Sequence, residues 1–579
     1  MFEIKKRDGL GRIGKLKIKD KVIETPTLAV VLNPNNMIVD MKFIKRYIKP
    51  QLIMTNAYIL MRSKYRDEII EKGIHKFFGF DGVIYTDSGT FQMYSRGDVK
   101  ISNEQTIEFQ KKIKSDIITP LDVFTLPEDS YKESKRKMEE TLKRISYLRK
   151  TSEEEKIEYV FPIQGGRYIS LREEMAEKSN KYDATLYAIG GIVPLMEQYR
   201  YRELMKIIFA IKSKINPSFP IHAFGAGHPM IFGLLVMAGI DIFDSASYSL
   251  YAQEGRYLTE NKTLDIKEIE YLPCDCPVCI DKTPKEMSKE DIAKHNLFII
   301  FKEIRRIKES IRTGNLYEYV EQRIGAHPEL IKAYRLLKDK KIKALLIESE
   351  SSTKQTSIYW VRDETKYRPV FEYVRRKLKF VNSDLKKFRW YNNLAIPISL
   401  SLTYPFGQFQ YIKSFEKYKE MLKKIFASRD KEMIIKVVRD ILAWELESTN
   451  IYNYKKLEKC DYEISHTKRL RYILHKGKTL ATLRAQDNIF VLSKEFAKEL
   501  YNNNILSKKV IVKEEAKAFI RKGRNVFAKF IIDCSDNIHP NDVVAILDEH
   551  NEFLNVGFAL LTSKEMKSFK RGVAVNVKG

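Results

Sequence analysis

Disulfides and membrane spans are the first features that this sequence lacks. The 579 residues contain only five cysteines, three of them within Cys274–Cys279, so a disulfide framework of the kind that staples small secreted domains is excluded. The longest nearly apolar stretch, Pro229–Phe243, is too short to cross a bilayer and contains Asp241. The first residues, from Met1 onward, carry charge and no apolar signal core. We therefore expect a soluble, cytoplasmic protein with no membrane partner.

Acidic residues are also scarce relative to basic ones. Lys and Arg number 103 against 76 Asp and Glu, which gives a formal net charge of +27. Such an excess favours a polyanionic partner such as nucleic acid, although a lysine-rich proteome or adaptation to heat would also enrich charge. With 44% hydrophobic and 31% charged residues, the chain does not belong to a disordered or fibrous class. Its length leaves room for roughly three to five domains.

Apolar runs alternate with helical patterns through the first half of the chain. Several of the runs are β-branched without polar alternation, as expected for strands buried on both faces. Eight such strands over about 250 residues predict an α/β fold with a (β/α)8, or TIM, barrel. An open doubly wound sheet is the competing interpretation, but the sequence contains no GxGxxG or Walker A motif to favour it. The predicted strands are Thr25–Pro34, Leu52–Leu60, Val83–Thr86, Ile117–Phe124, Tyr159–Gln164, Leu186–Ile192, Ile221–Gly225 and Ile242–Asp244.

Polar residues and glycines end these predicted strands. In a barrel the chemistry lies at the carboxyl ends of the strands, so two carboxylates there, Asp87 and Asp244, could face each other across the mouth. Each is followed by serine, and each could instead only cap the next helix. Position alone therefore leaves a catalytic and a structural role open for both. The strand-end residues are Asn33, Asn56, Asp87–Gly89, Asp122, Gln164–Gly166, Gly190–Gly191, Gly225–Gly227 and Asp244–Ser245.

One cluster of cysteines has the spacing of a metal site. Cys274, Cys276 and Cys279 are followed by His295, which lies in a helix predicted from Ser288 onward. Three thiolates and one imidazole are typical of a tetrahedral structural zinc site without an open coordination position, so the zinc is not expected to be catalytic. The alternatives are three buried free cysteines, or another histidine in place of His295 as the fourth ligand.

The second half of the chain has a different character. Glu348–Ser357 is polar and predicts a linker. Beyond it, basic residues interleave with aromatic ones, as in Tyr359–Arg362, a pattern that can bind nucleic acid or simply form a charged face over an aromatic core. Leu506–Gly579 mixes a helix with short strands and has the size of a small β-barrel. The predicted domains are a barrel with a zinc-binding insertion (1–347), a basic and aromatic α+β tail domain (348–430), a second α+β tail domain (431–505) and the small β-barrel (506–579).

Several motifs together resemble those of tRNA-guanine transglycosylases. The Ser-Ala-Ser-Tyr motif after the eighth predicted strand and the long basic tail are similar to those of the archaeal, archaeosine-making branch of that family. Glu515–Phe530 and Phe569–Ala574 resemble a PUA domain, which is an RNA-binding module. The resemblance covers nearly the whole chain and is weakest over residues 350–505. The motifs are Thr86–Gln92, Pro162–Gly166, Ala188–Pro194, Phe224–Pro229, Asp241–Tyr248, Cys274–Cys279 and His295–Leu297.

The resemblance implies base exchange in tRNA. Guanine at position 15 of the D-arm would be replaced by 7-cyano-7-deazaguanine without ATP. Because an N-glycosidic bond is broken and remade at one ribose carbon, two carboxylates suit the reaction, as in retaining glycosidases. One carboxylate would form a covalent RNA–enzyme intermediate while the other manages protons. We assign Asp244 as the nucleophile and Asp87 as the general acid and base, and the sequence leaves the reverse assignment open.

The same resemblance implies a pocket for the base. One carboxylate, Asp122, would accept hydrogen bonds from guanine-type N–H groups, and one ring, Phe91, would stack on the flipped base unless it is a core residue beside the mouth. Glycines let the main chain approach a base closely. The residues implied for substrate binding are Phe91, Asp122, Gln164, Gly190, Gly191 and Val193.

The resemblance also implies partners and a cofactor. They are tRNA, guanine and 7-cyano-7-deazaguanine, one structural Zn2+ ion, and a second copy of the chain in a homodimer. Only 15 residues separate Cys279 from His295, fewer than we expect in relatives, which leaves the loop geometry open but not the ligand set. The competing functions are a related enzyme that amidates the inserted nitrile base, a nucleosidase or glycoside hydrolase, and a non-catalytic tRNA-binding protein. The presence of both Asp87 and Asp244 argues against the amidating enzyme.

Overall fold

The structure divides into two units along the chain. The computed structural model describes residues 2–95, 101–356, 358–409 and 416–578, without the side chains of residues 91, 94 and 95. The first unit comprises Met1–Arg312 and Tyr319–Leu336, and the second comprises Thr313–Glu318 and Leu337–Gly579. None of the helices in the described part of the chain is long and apolar enough to cross a membrane.

Eight parallel strands close into a barrel in the first unit, which confirms the predicted α/β barrel fold. A three-stranded antiparallel sheet precedes it and consists of β1 (Phe2–Asp8), β2 (Gly11–Ile18) and β3 (Lys21–Thr25). The barrel strands are buried along almost their whole length because helices cover one face and the barrel interior fills the other. They are β4 (Thr27–Val31), β5 (Leu52–Asn56), β6 (Val83–Asp87), β7 (Ile117–Ile118), β8 (Glu158–Ile163), β9 (Leu186–Ile189), β10 (Ile221–Ala223) and β11 (Ile242–Ser245).

The register of the barrel brings the predicted site residues to one mouth. Neighbouring strands follow chain order, and β11 pairs in parallel with β4 to close the ring. Asn56 at the end of β5 lies beside Asp87 at the end of β6, and Asp244 lies on β11 beside Ala29. Since all eight strands run in the same direction, their carboxyl ends meet at the same end of the barrel.

Several predicted strands end earlier than their apolar runs suggest. The run Leu52–Leu60 leaves the sheet after Asn56, because the side chain of Asn56 caps the next helix by accepting a hydrogen bond from the Ile59 N–H at 3.0 Å. In the run Ile117–Phe124 only the first two residues are paired, and Pro120 then has no N–H to donate to a neighbouring strand. The strand β9 likewise ends at Ile189, three residues before the end of its predicted run.

Helices connect the barrel strands and make up much of the rest of the chain. The helix that carries the predicted ligand His295 begins at Lys289, next to its predicted start, and continues to Thr313. Two short antiparallel strands, β12 (Arg256–Leu258) and β13 (Thr263–Asp265), lie between the barrel and this helix. Within the described residues, the α-helices of five or more residues are Ala57–Met61, Arg66–Lys72, Ile74–Phe78, Thr90–Ser95, Asn103–Lys112, Tyr131–Glu155, Ile169–Ser179, Val193–Glu197, Tyr201–Lys214, Pro229–Met237, Ser247–Gln253, Lys289–Thr313, Leu316–Arg323, Pro328–Tyr334, Lys340–Glu348, Pro369–Lys377, Glu416–Ser428, Lys431–Leu446, Lys494–Asn502, Lys517–Arg521 and Ser563–Ser568.

The described part of the second unit contains three sheets, and many of its buried apolar residues form one cluster. A two-stranded and a four-stranded antiparallel sheet are followed by a six-stranded mixed sheet, which forms the small β-rich module predicted at the end of the chain. Several aromatic residues of the basic segment, including Trp390 and Tyr373, are buried in this unit and therefore cannot stack on RNA bases. The strands are β14 (Lys387–Arg389), β15 (Ala395–Pro397), β16 (Asp461–Ile464), β17 (Leu470–His475), β18 (Lys478–Leu483), β19 (Phe490–Leu492), β20 (Lys509–Val512), β21 (Val526–Phe527), β22 (Ile531–Cys534), β23 (Val543–Leu547), β24 (Phe553–Ala559) and β25 (Val573–Val577).

The predicted linker after residue 347 is wrong. Residues 349–353 are polar but buried. The Ser352 N–H donates to the carbonyl of Pro540 at 2.8 Å, and the Thr353 hydroxyl donates to Asp487 at 2.9 Å. These polar groups are buried because partners within the second unit satisfy them, a feature that polar composition does not reveal.

A buried ion pair fastens the amino-terminal end of the barrel. Arg12 on β2 contacts both carboxylate oxygens of Asp241 at 2.8 Å, and both side chains are almost fully buried. Asp241 also accepts a hydrogen bond from the N–H of Ile221, the first residue of β10, at 2.9 Å. The pair therefore joins the first sheet to two adjacent barrel strands.

We expect Arg12→Met to destabilise the first unit by about 3–5 kcal/mol, because it leaves the Asp241 carboxylate buried without its counter-charge. Differential scanning calorimetry measures the effect. The exposed pair of Arg66 and Asp67 is the matched control, and Arg66→Met should change stability by no more than about 1 kcal/mol. Equal thermal transitions for the two variants would contradict a structural role for the buried pair.

Candidate active site and metal site

The first predicted catalytic carboxylate, Asp87, ends β6 at the barrel mouth. Its Oδ2 accepts hydrogen bonds from the Asn56 side-chain amide at 3.1 Å and from the Gly89 N–H at 3.2 Å. The amide of Asn56 also donates to Gln92 at 2.8 Å. Asn56 therefore holds Asp87 from the neighbouring strand while capping its own helix.

The second predicted catalytic carboxylate, Asp244, lies on β11 and is 8% exposed. Its Oδ1 accepts a hydrogen bond from the Gly225 N–H at 2.7 Å and lies 2.9 Å from His222 Nε2. The helix after β11 begins at Ser247 and has Ala246 as its N-cap residue, so no side chain caps it. The alternative that Asp244 only caps this helix is therefore wrong.

A third carboxylate, Asp122, pairs with the buried amide of Gln164. Gln164 Nε2 donates to Asp122 Oδ2 at 2.5 Å, and Gln164 Oε1 accepts from the Thr125 hydroxyl at 2.8 Å. Both Asp122 and Gln164 were predicted to bind the base, and the structure brings them together. This contact fixes the orientation of the amide, because its oxygen faces a hydroxyl donor and its nitrogen faces a carboxylate.

Glycines give these side chains the space they need. A Cβ on Gly190 would lie 2.3 Å from Gln164 Nε2, so only glycine fits beside this amide. A Cβ on Gly225 would lie 2.4 Å from a methyl carbon of Val193, and Gly225 has a φ of +70°. Val193 therefore packs directly on the residue whose N–H binds Asp244, while Gly191 lies beside Thr125.

Burial and mutual repulsion govern the charges at the mouth. Burial, with the charges of Asp122 and Asp244, raises the pKa of Asp87 to about 7. Burial also raises the pKa of Asp122, although the hydrogen bonds that Asp122 accepts act to lower it. The mouth thus holds three carboxyl groups that influence one another, of which Asp87 keeps its proton up to near-neutral pH.

Sequence reasoning missed two buried residues at this site. His222 lies in the middle of β10, where no strand-end motif marks it. Arg172 is fully buried and donates to the carbonyls of Gly166 at 2.8 Å and Ile163 at 2.6 Å, which secures the loop that carries Gln164. The only signal for His222 is a polar side chain in an otherwise apolar strand, and Arg172 has no such signal because it lies in a helix rich in charged residues. The predicted stacking side chain of Phe91 lies outside the described residues.

The four predicted metal ligands form one cluster. The donor atoms of Cys274, Cys276, Cys279 and His295 all lie within 4.8 Å of one another. Cys279 Sγ is 3.2 Å and Cys276 Sγ is 3.6 Å from His295 Nδ1. The short spacing between Cys279 and His295 therefore still lets these groups converge. Three sulfurs and one ring nitrogen fit one tetrahedral metal ion that has no open position.

Neighbouring groups orient the histidine for metal binding. His295 Nε2 donates to the Leu258 carbonyl at 2.8 Å, which leaves Nδ1 as the nitrogen that faces the cysteines. The Tyr257 ring stacks on His295 with centroids 3.6 Å apart, and the Tyr257 hydroxyl lies 3.3 Å from Cys279 Sγ. Hairpin β12–β13 thus supplies the outer support of the cluster.

The first unit combines a (β/α)8 barrel, interacting carboxylates at its mouth and a separate Cys3His cluster. These features together indicate a barrel enzyme with a cluster that could hold one metal ion. The family model described as queuine tRNA-ribosyltransferase matches residues 8–329. This chain therefore belongs to the tRNA-ribosyltransferase, or tRNA-guanine transglycosylase, family. Two further models match the second half, the patch-forming domain C2 of tRNA-guanine transglycosylase over residues 453–504 and the PUA domain over residues 508–579.

Full-length relatives agree with this membership. A Pyrococcus abyssi protein is 38% identical, and the match covers 100% of this chain and 97% of the relative. A Methanocaldococcus jannaschii protein is 36% identical over 100% of this chain and 99% of its own length. A Thermococcus kodakarensis protein is 37% identical over 100% and 98%, respectively. Each of these relatives bears the name tRNA-guanine(15) transglycosylase.

We expect His295→Ala to lower the metal content of the purified chain well below one ion, because one of four ligands is lost, and to lower its thermal transition, because metal binding and folding are coupled. Elemental analysis and calorimetry measure the two effects. Cys460→Ser is the matched control, since Cys460 is buried outside the cluster. Full metal occupancy in His295→Ala would exclude His295 as a ligand.

We expect Asp87→Asn to stabilise the protein increasingly as the pH rises from about 4 to about 7. The Asp87 pKa is raised from 3.8 to about 7, so over this interval the folded state holds a proton that the unfolded state has lost. The stability of the wild type therefore falls through this window, and the full penalty is present above it. Asparagine does not titrate. The thermal transition temperature of Asp87→Asn minus that of the wild type should therefore grow up to about pH 7 and then level off.

Asp116→Asn provides a control of opposite sign. Despite burial, hydrogen bonds from His75 and the Ile84 N–H hold the pKa of Asp116 below its usual value. The charged form of Asp116 is therefore stabilising throughout this pH interval, and its replacement should lower the transition temperature without a comparable trend. A pH-independent effect of Asp87→Asn would contradict the raised pKa.

Proposed function

We propose that this protein replaces guanine at position 15 of tRNA with 7-cyano-7-deazaguanine. The observation that supports it best is the pair of mouth carboxyls with different surroundings. Asp87 has a pKa of about 7 and can give and take a proton, while Asp244 receives donors that favour a carboxylate. The names of the full-length relatives supply the position in tRNA and the base that is exchanged.

Two steps at one ribose carbon account for the exchange. An Asp244 oxygen forms a bond to C1′ while the bond from C1′ to N9 of guanine breaks, and the bonding electron pair leaves with the base. Asp87 gives its proton to that base and becomes a carboxylate. In the second step the entering base loses its N9 proton to Asp87, its N9 attacks C1′, and the bond to Asp244 breaks with its electron pair. No ATP is needed, because the bond made is of the same kind as the bond broken.

Recognition of the base is assigned to the remaining mouth residues. Asp122 would accept hydrogen bonds from the N–H groups of guanine, and Gln164, which is held by Asp122 and Thr125, would contact other polar atoms of the base. The backbone of Gly190–Val193 can approach the base closely because a side chain at Gly190 would collide with Gln164. Phe91 is proposed to stack on the base after it leaves the RNA helix.

The same family membership supports proposals for the metal and the partners. We infer zinc for the cluster of Cys274, Cys276, Cys279 and His295, because zinc prefers this ligand set. With four protein ligands the ion would support the fold and supply no chemistry. We also propose a cytoplasmic homodimer, the four-domain division at residues 347, 430 and 505, and contacts between tRNA and the domain that matches the PUA model.

Exchange of radiolabelled guanine into an unmodified tRNA transcript tests the proposal, with the labelled position mapped. We expect label at position 15, displaced by excess 7-cyano-7-deazaguanine. Asp244→Ala should abolish both exchange and the covalent RNA–protein complex seen on denaturing gels. Asp87→Ala should reduce exchange by about 100-fold or more while tRNA binding persists.

Asp67→Ala serves as the control, because this carboxylate is exposed and pairs with Arg66 at the surface. A covalent complex that persists in Asp244→Ala and disappears in Asp87→Ala would reverse the two roles. No incorporation by a folded wild-type protein that binds tRNA would exclude base exchange and favour the amidating or non-catalytic alternative.

A further inference from the structure

A buried histidine contacts the candidate nucleophile from inside the barrel. His222 lies on β10, is 0% exposed, and places Nε2 2.9 Å from Asp244 Oδ1. Because an ionised carboxylate can only accept hydrogen bonds, Nε2 carries the proton and donates it to Asp244. This contact fixes the tautomer of the imidazole, and Nδ1 is left as an acceptor.

The rest of the imidazole has an unfavourable environment. Within the described residues, Nδ1 has no hydrogen-bond partner. The rings of Tyr85 and Phe224 pack edge-on against it, with centroids 5.7 Å and 4.8 Å away. An apolar side chain of similar size would fill this space without burying an unpaired nitrogen. Packing alone therefore does not account for a histidine here, whereas its contact with Asp244 does.

The two donors to Asp244 act on the same oxygen. Oδ1 receives the Gly225 N–H at 2.7 Å and His222 Nε2 at 2.9 Å. In the described part of the chain no donor lies within hydrogen-bonding distance of Oδ2. Two donors on one oxygen restrain rotation of the carboxylate, and they leave Oδ2 as the oxygen with available lone pairs.

We propose that His222 is a positioning residue that, together with the Gly225 N–H, fixes Oδ1 of Asp244 so that Oδ2 attacks C1′ of the ribose. This inference rests on the proposed base exchange. In that step the Oδ2–C1′ bond forms as the C1′–N9 bond breaks, the electron pair leaves on N9, and the proton on the base comes from Asp87. His222 keeps its proton throughout and touches neither the base nor the ribose.

Two variants of His222 separate positioning from packing. Glutamine places an amide N–H near the position of imidazole Nε2, whereas leucine fills the space without a donor. We expect His222→Leu to lower kcat for guanine exchange about 100-fold, because a nucleophile that is free to rotate is misaligned. The KM for guanine and the tRNA affinity should stay near wild-type values, since neither substrate contacts His222. His222→Gln should recover most of kcat.

His75→Gln is the matched control. His75 Nε2 lies 2.9 Å from Asp116 Oδ2, the same distance as in the His222 pair, but at the opposite end of the barrel strands. This variant should keep kcat and the yield of the covalent RNA–protein complex. The yield should fall in His222→Leu and return in His222→Gln, while the thermal transition of His222→Leu stays at or above that of the wild type.

The outcomes distinguish this inference from the proposed function. If the wild type incorporates no guanine, base exchange fails and the positioning role fails with it. If the wild type is active and His222→Leu keeps its kcat, only the positioning role fails. Equal losses of kcat in the leucine and glutamine variants, accompanied by a lowered thermal transition, would assign His222 to packing and overturn the inference.

Discussion

The arrangement of the barrel mouth depends on one constraint, the repulsion among three carboxyl groups that are largely removed from water. Asp87, Asp122 and Asp244 cannot all be ionised there without strong compensation, because each charge raises the free energy of the others. Asp244 is compensated by two donors, and Asp122 by the amide of Gln164. Asp87 also accepts two hydrogen bonds, from the Asn56 amide and the Gly89 N–H, yet burial and the two neighbouring charges raise its pKa to about 7. The proposed division into one acid and one nucleophile depends on this raised pKa.

The compensation works only because the backbone comes very close at a few positions. Gly190 leaves room for the amide of Gln164, and Gly225 directs its N–H at Asp244 while Val193 packs against its α-carbon. A larger side chain at either glycine would displace a hydrogen-bond donor of a carboxylate. The loops at the mouth therefore act as part of the electrostatic site, and their glycine content reflects packing rather than mobility.

Much of this site could be predicted from the sequence, for a physical reason. Parallel strands gather their carboxyl ends, so the residues that end apolar runs, such as Asp87 and Asp244, are expected to meet at one mouth. His222 could not be found this way, because it lies within a strand and its neighbours alone determine its role. The linker prediction at Glu348–Ser357 was wrong for a related reason. Polar composition indicates exposure, but hydrogen bonds such as that of Thr353 with Asp487 allow burial.

The metal cluster supports the segment that follows the Asp244 strand. Beside the ligand His295, Asn296 accepts a hydrogen bond from the Leu258 N–H at 2.8 Å and donates to the carbonyl of Tyr248 at 3.3 Å. Tyr248 lies four residues after Asp244, and its hydroxyl binds a main-chain carbonyl of β4 at 3.0 Å. An ion bound by this cluster would hold the loop Cys274–Cys279 to the start of the helix Lys289–Thr313 and would thereby limit the movement of the chain leaving β11. Its contribution to the proposed chemistry would be to keep Asp244 in place, which requires no open coordination position.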